Sequence, residues 1–332
     1  MANNILAVDL GGTKTHLRLY GLGESQKPEM IREGILPSRQ YPGLENLVLE
    51  FLATGQEKVE AACFGLSGPV VNGRARIVNL PWEVDQERIS ESIGCPRVRL
   101  MNDLETTAIG ALHLSAHEFH CLNPGESHPG NKAVIAAGTG LGQAFLFWDG
   151  EQHRAAATEG GHADFSPQTE FQYGLLRFLQ RKYAHVSWEH ILSGAGLHEL
   201  YCYLIEELGR SPNPETAQRL EEEDPGSVIG SMAVAGKCPV CLEAVDHFVE
   251  AYGAQAGNLA LTVFALGGVY VGGGIAVKLL PRMVSGKFLS AFYHKERFEG
   301  FMARIPVHII LNPQASVIGA AHIAASLLFH GR

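Results

Sequence analysis

Charged residues are sparse in this chain, and no segment concentrates them. Only 18% of the 332 residues are charged, the formal net charge is −9, and no dense lysine or arginine tract occurs. Proteins that bind nucleic acids neutralise phosphates with clustered basic side chains, so we expect no nucleic-acid partner. A hydrophobic share of 46% also separates this chain from disordered proteins, which are poor in such residues.

Signals for export or membrane insertion are lacking as well. Asp9 interrupts the only apolar run near the N-terminus, so no secretory leader is expected. The longest uncharged stretch, residues 259–277, contains five glycines, and it predicts a helix end, a strand and a glycine turn instead of a membrane span. Because the six cysteines occur without an export signal, we expect reduced thiols and a cytoplasmic protein with no membrane partner.

Several familiar ligand motifs are missing. No G-x-x-x-x-G-K-[ST] phosphate loop occurs, and the glycines at 138–142 precede a strand-like segment, whereas a dinucleotide fingerprint opens a helix. Cys238 and Cys241 form a single C-x-x-C pair without the second pair of a zinc ribbon, which leaves a redox role open. For the three histidines and one cysteine within 113–121, we predict a helix face in preference to a metal site.

Glycine, by contrast, is abundant and clustered. It accounts for 38 of the 332 residues, above the typical ~7%. Glycine lets the backbone approach a ligand closely or adopt turns with positive φ. Two clusters, at 11–12 and 138–142, each lie between two predicted strands. This repeated pattern indicates a duplicated α/β unit.

Hydrophobic periodicity predicts an α/β protein with two domains. In the first domain, of about 110 residues, the pattern predicts strands at 5–9, 15–20, 61–66 and 97–101, and helices at 44–52 and 104–114. In the remainder it predicts strands at 132–137, 143–148, 269–271 and 307–311, and helices at 170–183, 195–208, 238–264 and 316–329. The polar segment 211–224 is predicted to be a surface excursion.

Asp9 and the turn after it are candidates for a phosphate-binding site. A turn with Gly11 and Gly12 can direct several backbone N–H groups into one concavity, which suits phosphate oxygens, and Thr13 adds a hydroxyl donor. At the strand end, Asp9 is placed to hold Mg²⁺ directly or through a water molecule. A hairpin turn that simply needs glycine is the alternative interpretation.

Two further glycine turns follow apolar strands in the second half of the chain. The turn with Gly138 and Thr139 repeats the first pattern, and a phosphate chain held between two lobes requires two such turns. Gly272 and Gly273 follow the strand at 269–271 and allow a flat ligand such as adenine to lie against bare backbone. A tight strand-to-helix turn is the alternative for this segment.

Polar side chains at three places are candidates for binding a hydroxylated substrate. Asp103 could accept the proton of an attacking hydroxyl group, although an Asn102–Asp103 pair before a helix is also typical of a helix cap. Glu159 and His162 flank two glycines, and a carboxylate with an imidazole suits neighbouring hydroxyl groups. A solvated turn is the alternative there, and Glu189 taken alone indicates only the start of a helix.

Taken together, these motifs resemble those of the bacterial glucokinase family, within the hexokinase–actin–Hsp70 superfamily of ATPases. The resemblance extends from Asp9 to the tail helix. It rests on motifs that follow the family order and spacing: residues 9–13, 102–103, 138–142, 159–162, 189–194 and 272–275.

The resemblance implies a two-lobed actin-like ATPase (ribonuclease H-like) fold with a ligand cleft between the lobes. The expected small α/β domain covers residues 1–110 and is completed by the C-terminal helix 313–332, and the large α/β domain covers residues 111–312. The implied activity is ATP-dependent phosphorylation of a hexose, foremost glucose, at the 6-hydroxyl, with Mg²⁺ and in a homodimer. A kinase for another hexose or an amino sugar, and a non-catalytic sugar-sensing regulator, are the alternatives.

The resemblance also implies roles for individual residues. Asp103 is the expected catalytic base. It also belongs to the expected sugar ligands, with Asn102, Glu159, His162 and Glu189. The expected nucleotide contacts are Asp9, Gly11, Gly12, Thr13, Gly138, Thr139, Gly272 and Gly273. Asp9 is in addition the expected Mg²⁺ residue.

Overall fold

The computed structural model describes residues 3–23 and 28–329, and these form two compact units. Unit 1 comprises the described residues of Met1–Ala116, Ala155–Ala157 and Asn312–Arg332, and unit 2 those of His117–Arg154 and Thr158–Leu311. Residues 1–2 and 24–27 of the expected small domain and the last three residues of the expected helix 313–332 lie outside the described residues. The two expected domains stay a prediction.

Unit 1 is built on a five-stranded sheet with a smaller three-stranded sheet beside it. Its strands are β1 (Asn3–Leu10), β2 (Lys14–Leu22), β3 (Pro28–Pro37), β4 (Val59–Leu66), β5 (Val70–Val71), β6 (Arg74–Arg76), β7 (Glu83–Asp85) and β8 (Val98–Asn102). Its helices, numbered along the whole chain, are α1 (Leu44–Ala53), α2 (Gln86–Ile93), α3 (Asp103–Ala111) and α13 (Ala315–Phe329).

The order of the large sheet in unit 1 is β3-β2-β1-β4-β8. β1 is antiparallel to β2 and parallel to β4, which is in turn parallel to β8. Asp9 is therefore in register with Gly65 of β4, and Gly65 with Met101 of β8. The register places the carboxyl ends of three parallel strands at one edge of the sheet, next to Asn102 and α3.

Both faces of this sheet are covered, which explains why β1 has a nearly continuous apolar sequence. Side chains alternate along the strand, with Leu6 and Val8 in one buried cluster and Ile5 and Ala7 in another that includes α13. The apolar, alanine-rich tail sequence predicted at 316–329 thus forms part of the core of unit 1.

Helices α3 and α13 pack closely because glycine lies where they approach each other. A Cβ atom on Gly319 would overlap the carbonyl oxygen of Thr106, and one on Gly110 would overlap the carbonyl oxygen of Ala315. Overpacked positions usually cost about 1–3 kcal/mol of stability. We therefore expect Gly319→Ala to lower the free energy of unfolding by about this amount in urea denaturation.

Gly300→Ala is the matched control, because no atom outside its own helix would lie within 4 Å of the added Cβ. This control should unfold at the wild-type urea concentration or slightly above it. Equal midpoints for Gly319→Ala and the wild type would show that the two helices do not approach as described.

Unit 2 contains a six-stranded sheet and most of the helices. The strands of that sheet are β9 (Phe119–Asn123), β10 (Lys132–Ala137), β11 (Leu141–Trp148), β12 (His153–Thr158), β13 (Val269–Gly272) and β14 (Val307–Ile310). The helices are α4 (Glu170–Leu179), α5 (Gly194–Glu206), α6 (Pro214–Glu222), α7 (Pro225–Val234), α8 (Pro239–Val263), α9 (Gly274–Lys278), α10 (Leu280–Met283), α11 (Lys287–Tyr293) and α12 (Glu299–Met302).

The strand pattern of unit 1 recurs in this second sheet, whose order is β12-β11-β10-β13-β14-β9. β10 is antiparallel to β11 and parallel to β13, which is parallel to β14. In both sheets, therefore, a strand leads through a glycine turn into its antiparallel neighbour and has a parallel strand on its other side. The repeated strand–turn–strand motif in the sequence corresponds to this repeated topology.

A buried tyrosine ties the long helix α8 to the strand ends. Tyr252 is fully buried, and its hydroxyl oxygen lies 2.9 Å from the backbone nitrogen of Ala137, which donates to it. The same hydroxyl lies 3.1 Å from the carbonyl oxygen of Gly272, to which it can donate. Because burial raises the pKa of Tyr252, the phenol keeps its proton for such a bond. The ends of β10 and β13 are thereby held together.

Sequence reasoning missed a helix within the segment 211–224, and one of its predictions of local structure is wrong. Most residues of this segment are exposed, as a surface excursion requires. The segment 211–224 contains helix α6, which is capped by the Asn213 side chain and has Pro214 at its first position. Little of this helix is buried, and its sequence therefore lacks the apolar periodicity that reveals a helix packed on a core. The wrong prediction concerns residues 113–121. They do not form one helix face, because α3 ends at Ala111 and β9 pairs with β14. Tertiary strand pairing overrides local preference there.

Cys238 and Cys241 lie at the start of α8, where both thiols are free and buried. The Cys238 sulfur accepts the backbone N–H of Cys241 at 3.3 Å and caps the helix. Burial denies these thiols the solvent access that reactive cysteines have. A redox role for the pair stays an alternative that the sequence left open.

Across residues 3–23 and 28–329, no single helix is both long enough and apolar enough to cross a membrane. α7 and α8 satisfy that test only as a pair, and the two helices are bent by 102° relative to each other.

Candidate active site

The first glycine turn, between β1 and β2, is closed by hydrogen bonds on both sides. The Gly11 N–H donates to the carbonyl oxygen of Lys14 at 3.1 Å. Ser38 is fully buried behind the turn, where its hydroxyl donates to the carbonyl oxygen of Gly11 at 2.8 Å and its N–H donates to Thr13 at 3.0 Å. The predicted phosphate-binding turn is therefore a supported loop at the end of a buried strand.

Asp9 lies at the end of β1, where its carboxylate oxygen Oδ1 accepts the hydroxyl of Ser316 at 2.7 Å. Burial raises the pKa of Asp9, while the Ser316 hydrogen bond and the nearby His16 oppose that rise. Within the residues that the structure describes, no group of three or more His, Cys, Asp or Glu side chains is arranged to hold a metal ion. A single carboxylate beside a phosphate loop fits Mg²⁺, because proteins usually bind this ion through one or two carboxylates and substrate phosphates.

Asn102, and not Asp103, caps α3. The Asn102 side-chain oxygen accepts the N–H of Leu104 at 2.9 Å, and its amide nitrogen donates to the carbonyl oxygen of Gly68 at 3.2 Å. Glu105 completes a capping box by accepting the Asn102 N–H at 3.0 Å. Asp103 is thus the first residue within the helix, and the capping role that competed with a catalytic one belongs to its neighbour.

The second glycine turn, between β10 and β11, is bound to the start of α5 and to Glu189. The Gly138 carbonyl oxygen accepts the N–H of Gly194 at 3.0 Å, and Glu189 Oε2 accepts the N–H of Leu141 at 2.8 Å. A Cβ atom on Gly140 would overlap the Glu189 carboxylate, so glycine is needed for this contact. Glu189, which was unremarkable in the sequence, is in fact part of the wall of the turn.

His162 stands between two carboxylates of unit 2. Its Nε2 lies 3.9 Å from Glu159 Oε2, and its Nδ1 lies 3.9 Å from Glu189 Oε1. These distances are too long for direct hydrogen bonds, so a ligand hydroxyl can bond to the imidazole and a carboxylate together. A Cβ atom on Gly161 would overlap the Leu141 carbonyl oxygen, which shows that this loop packs against the second glycine turn.

The same glycine turn borders a cavity of about 980 Å³ within unit 2. This volume is at the upper end of the usual range of ligand pockets, about 300–1,000 Å³. Its wall includes Thr139, Gly226, Ser227, Gly274 and Ile275. The predicted residues 272–273 directly precede this wall.

The wall of the cavity also includes residues that sequence reasoning missed. α6 contributes to it through Arg219 and α7 through residues such as Ser227, and Asp224, the cap residue of α7, also lines the cavity. The signal that could have revealed these helices is a cap residue followed by proline, which occurs as Asn213-Pro214 and again as Asp224-Pro225.

Comparisons with known proteins identify the family of this chain. The profile of the Glucokinase family matches residues 6–327. A glucokinase from Nostoc sp. (strain PCC 7120 / SAG 25.82 / UTEX 2576) is 40% identical over 339 residues, which cover 97% of this chain and 99% of that protein. The chain belongs to the glucokinase family. It is accordingly an enzyme, a sugar kinase.

Solved structures of related kinases share the fold. The crystal structure of a glucokinase from an Antarctic psychrotroph has a TM-score of 0.82 at 27% identity and covers 97% of this chain and 98% of that one. A ROK family glucokinase from Streptomyces griseus, solved with glucose and AMPPNP, has a TM-score of 0.60 at 21% identity and covers 98% and 99%. The predicted family, α/β actin-like ATPase fold and sugar-kinase class are confirmed.

Proposed function

We propose that the protein transfers the γ-phosphoryl group of ATP to the 6-hydroxyl of a hexose, with glucose as the preferred substrate. The observation that carries this proposal is that the second glycine turn of unit 2 contacts both a predicted sugar ligand and the cavity. The loop that contacts the carboxylate of Glu189 at Leu141 also lines the cavity at Thr139. A side chain suited to sugar hydroxyls is thus in direct contact with the turn suited to phosphate.

In this mechanism Asp103 accepts the proton of the 6-hydroxyl while that oxygen attacks phosphorus. Asn102, Glu159, His162 and Glu189 bind the ring hydroxyls and orient the attacking oxygen. Phosphoryl transfer depends mostly on positioning and electrostatic stabilisation, so orientation is the main contribution of these side chains. A polar site of this kind also discriminates against epimers, because a displaced hydroxyl leaves a buried polar group unpaired.

The proposed nucleotide contacts come from three glycine turns. Gly11, Gly12 and Thr13 bind phosphate oxygens in unit 1, and Gly138 and Thr139 do so in unit 2. Gly272 and Gly273 allow the adenosine to lie against the backbone beside the cavity. Mg²⁺, when bound, neutralises phosphate charge, and Asp9 would hold it directly or through water.

We further propose a cytoplasmic homodimer. All six cysteines are free thiols, as in proteins kept in a reducing compartment. Met30 and Ile35 are more than half exposed on the edge strand β3, and an edge strand with exposed apolar side chains can pair with a second copy. Light scattering coupled to size-exclusion chromatography measures the mass in solution and so tests the dimer. A mass equal to that of one chain at micromolar concentration would exclude it.

A panel of hexoses with ATP and Mg²⁺ tests the proposed activity by ADP release. Glucose should give the highest kcat/KM, and 6-deoxyglucose should release no ADP above the sugar-free background. A higher kcat/KM for another hexose or an amino sugar would assign the enzyme to that substrate. Sugar binding without ADP release would instead favour a non-catalytic regulator.

A further inference from the structure

A chain of buried hydroxyl groups leads from the first turn of α3 to Asp9. The Oγ1 atom of Thr106 lies 2.8 Å from the Oγ atom of Ser316, which in turn donates to Asp9 Oδ1 at 2.7 Å. Thr106 is fully buried and Ser316 is 7% exposed, so protein atoms enclose both side chains. Neither residue belongs to the motifs that carry the family resemblance.

The direction of these hydrogen bonds follows from the number of protons available. An ionised carboxylate only accepts, so Ser316 uses its single proton for Asp9. In the contact with Ser316, Thr106 is then the donor, and the carbonyl oxygen of Asp103, 2.9 Å from Thr106 Oγ1, is a second acceptor for the same proton. The hydroxyl of Thr107 also donates to that carbonyl, at 2.7 Å. The chain therefore runs from Thr106 through Ser316 to Asp9.

The backbone of β4 packs closely against these two hydroxyls at Gly65. A Cβ atom on Gly65 would lie 2.6 Å from Thr106 Oγ1 and 3.1 Å from Ser316 Oγ. Gly65 is also the residue of β4 in register with Asp9. Substituting any larger residue for this glycine would displace the hydroxyls, so the strand, both helices and Asp9 meet at one packed point.

We propose that Ser316 and Thr106 are positioning residues for phosphoryl transfer, an inference that rests on the proposed function. They fix the carboxylate of Asp9, which sits beside the first phosphate-binding turn. They also join Asp9 to the first turn of α3, the helix that begins with Asp103. The Mg²⁺-binding carboxylate and the proton acceptor are thereby held in one rigid arrangement within unit 1.

Kinetics of Ser316→Ala and Thr106→Val test this proposal. Removing a partner that orients a metal-binding side chain typically costs about 10–100-fold in metal affinity or activity. We expect Ser316→Ala to lower kcat by about tenfold or more, with KM for glucose within about twofold of wild type. Thr106→Val should act in the same direction, and Thr106→Ser, which keeps the hydroxyl, should restore the rate.

Two matched controls separate this effect from general damage to the helices. Thr107→Val removes the neighbouring hydroxyl of α3, which donates to the backbone carbonyl oxygen of Asp103. Ser326→Ala removes a hydroxyl of α13 that donates to the backbone carbonyl oxygen of Ile323. Both controls should keep kcat within about twofold of wild type. The melting temperature of every variant is measured, and Thr106→Ser serves as the folded reference if Thr106→Val melts early.

A binding measurement without turnover provides the second readout. The Kd of ADP is measured by calorimetry at increasing Mg²⁺ concentrations, in the absence of sugar. We expect Ser316→Ala to need about three- to tenfold more Mg²⁺ than the wild type to reach half of the full Mg²⁺-dependent increase in ADP affinity. If Ser316→Ala has the same kcat and the same Mg²⁺ dependence of ADP binding as Ser326→Ala, the positioning proposal is overturned. The proposed kinase activity is not affected by that result. If the wild type transfers no phosphoryl group, the proposed function fails, and the Mg²⁺ dependence of ADP binding still decides the role of Ser316.

Discussion

Asp103→Asn is expected to lower kcat by about 10²–10⁴-fold while ATP binding persists, because a general base contributes roughly that factor. Asparagine has nearly the same shape but cannot take up the proton of the sugar hydroxyl. The substitution should not release the start of α3, since Asn102 and Glu105 form the capping box there. The measurement is steady-state kcat with glucose, together with the Kd of ATP by calorimetry.

The matched control for this variant is Asp85→Asn. Asp85 also stands at a helix start in unit 1, where its carboxylate caps α2 by accepting two backbone N–H groups. This variant should lose a little stability and keep kcat within about twofold of the wild type. A near-normal kcat for Asp103→Asn would remove Asp103 from the role of proton acceptor.

Gly273→Ala should weaken ATP binding by at least tenfold and lower the melting temperature by several degrees. Gly273 has a φ of 84°, and a Cβ atom there would overlap the carbonyl oxygen of Ala137. With a ψ of 151° in addition, this backbone conformation is essentially restricted to glycine and costs another residue about 1–3 kcal/mol. Relieving the overlap requires movement of either the turn before α9 or the strand end that leads into Gly138, and both adjoin the cavity.

Gly286→Ala is the control that separates the effect of backbone strain from the effect of the overlap between the added Cβ and the Ala137 carbonyl oxygen. Gly286 has a φ of 94°, but no atom would lie within 4 Å of its added Cβ. This control should lose stability through strain alone and retain the wild-type KM for ATP. Wild-type values of both KM for ATP and melting temperature in Gly273→Ala would contradict the proposed adenosine wall.

The glycine turns could be predicted from the sequence because their chemistry is local. A buried strand followed by clustered glycine needs no distant partner to be recognised, and the predicted strand at 132–137 agrees with β10. Whether Asp103 caps α3 or acts in catalysis could not be predicted from the local sequence. The answer depends on which of two adjacent side chains reaches the helix N–H groups. The structure assigns that bond to Asn102.

Other features of the site depend on contacts between distant parts of the chain. Thr106 and Ser316 are 210 positions apart, and nothing in either local sequence marks them as partners. The packing of Glu189 against the second glycine turn likewise joins residues 48 positions apart. α6 was missed as a wall of the cavity because its short, polar sequence resembles a surface loop.

Phosphorus and carbon NMR of the product formed from glucose and ATP with Mg²⁺ tests the account most directly. The predicted result is a single phosphate ester, located on C6 of the sugar and formed in equal amount to ADP. An ester on another hydroxyl, or ADP formed without any sugar ester, would contradict the assignment of Asp103 and its neighbours to the 6-hydroxyl.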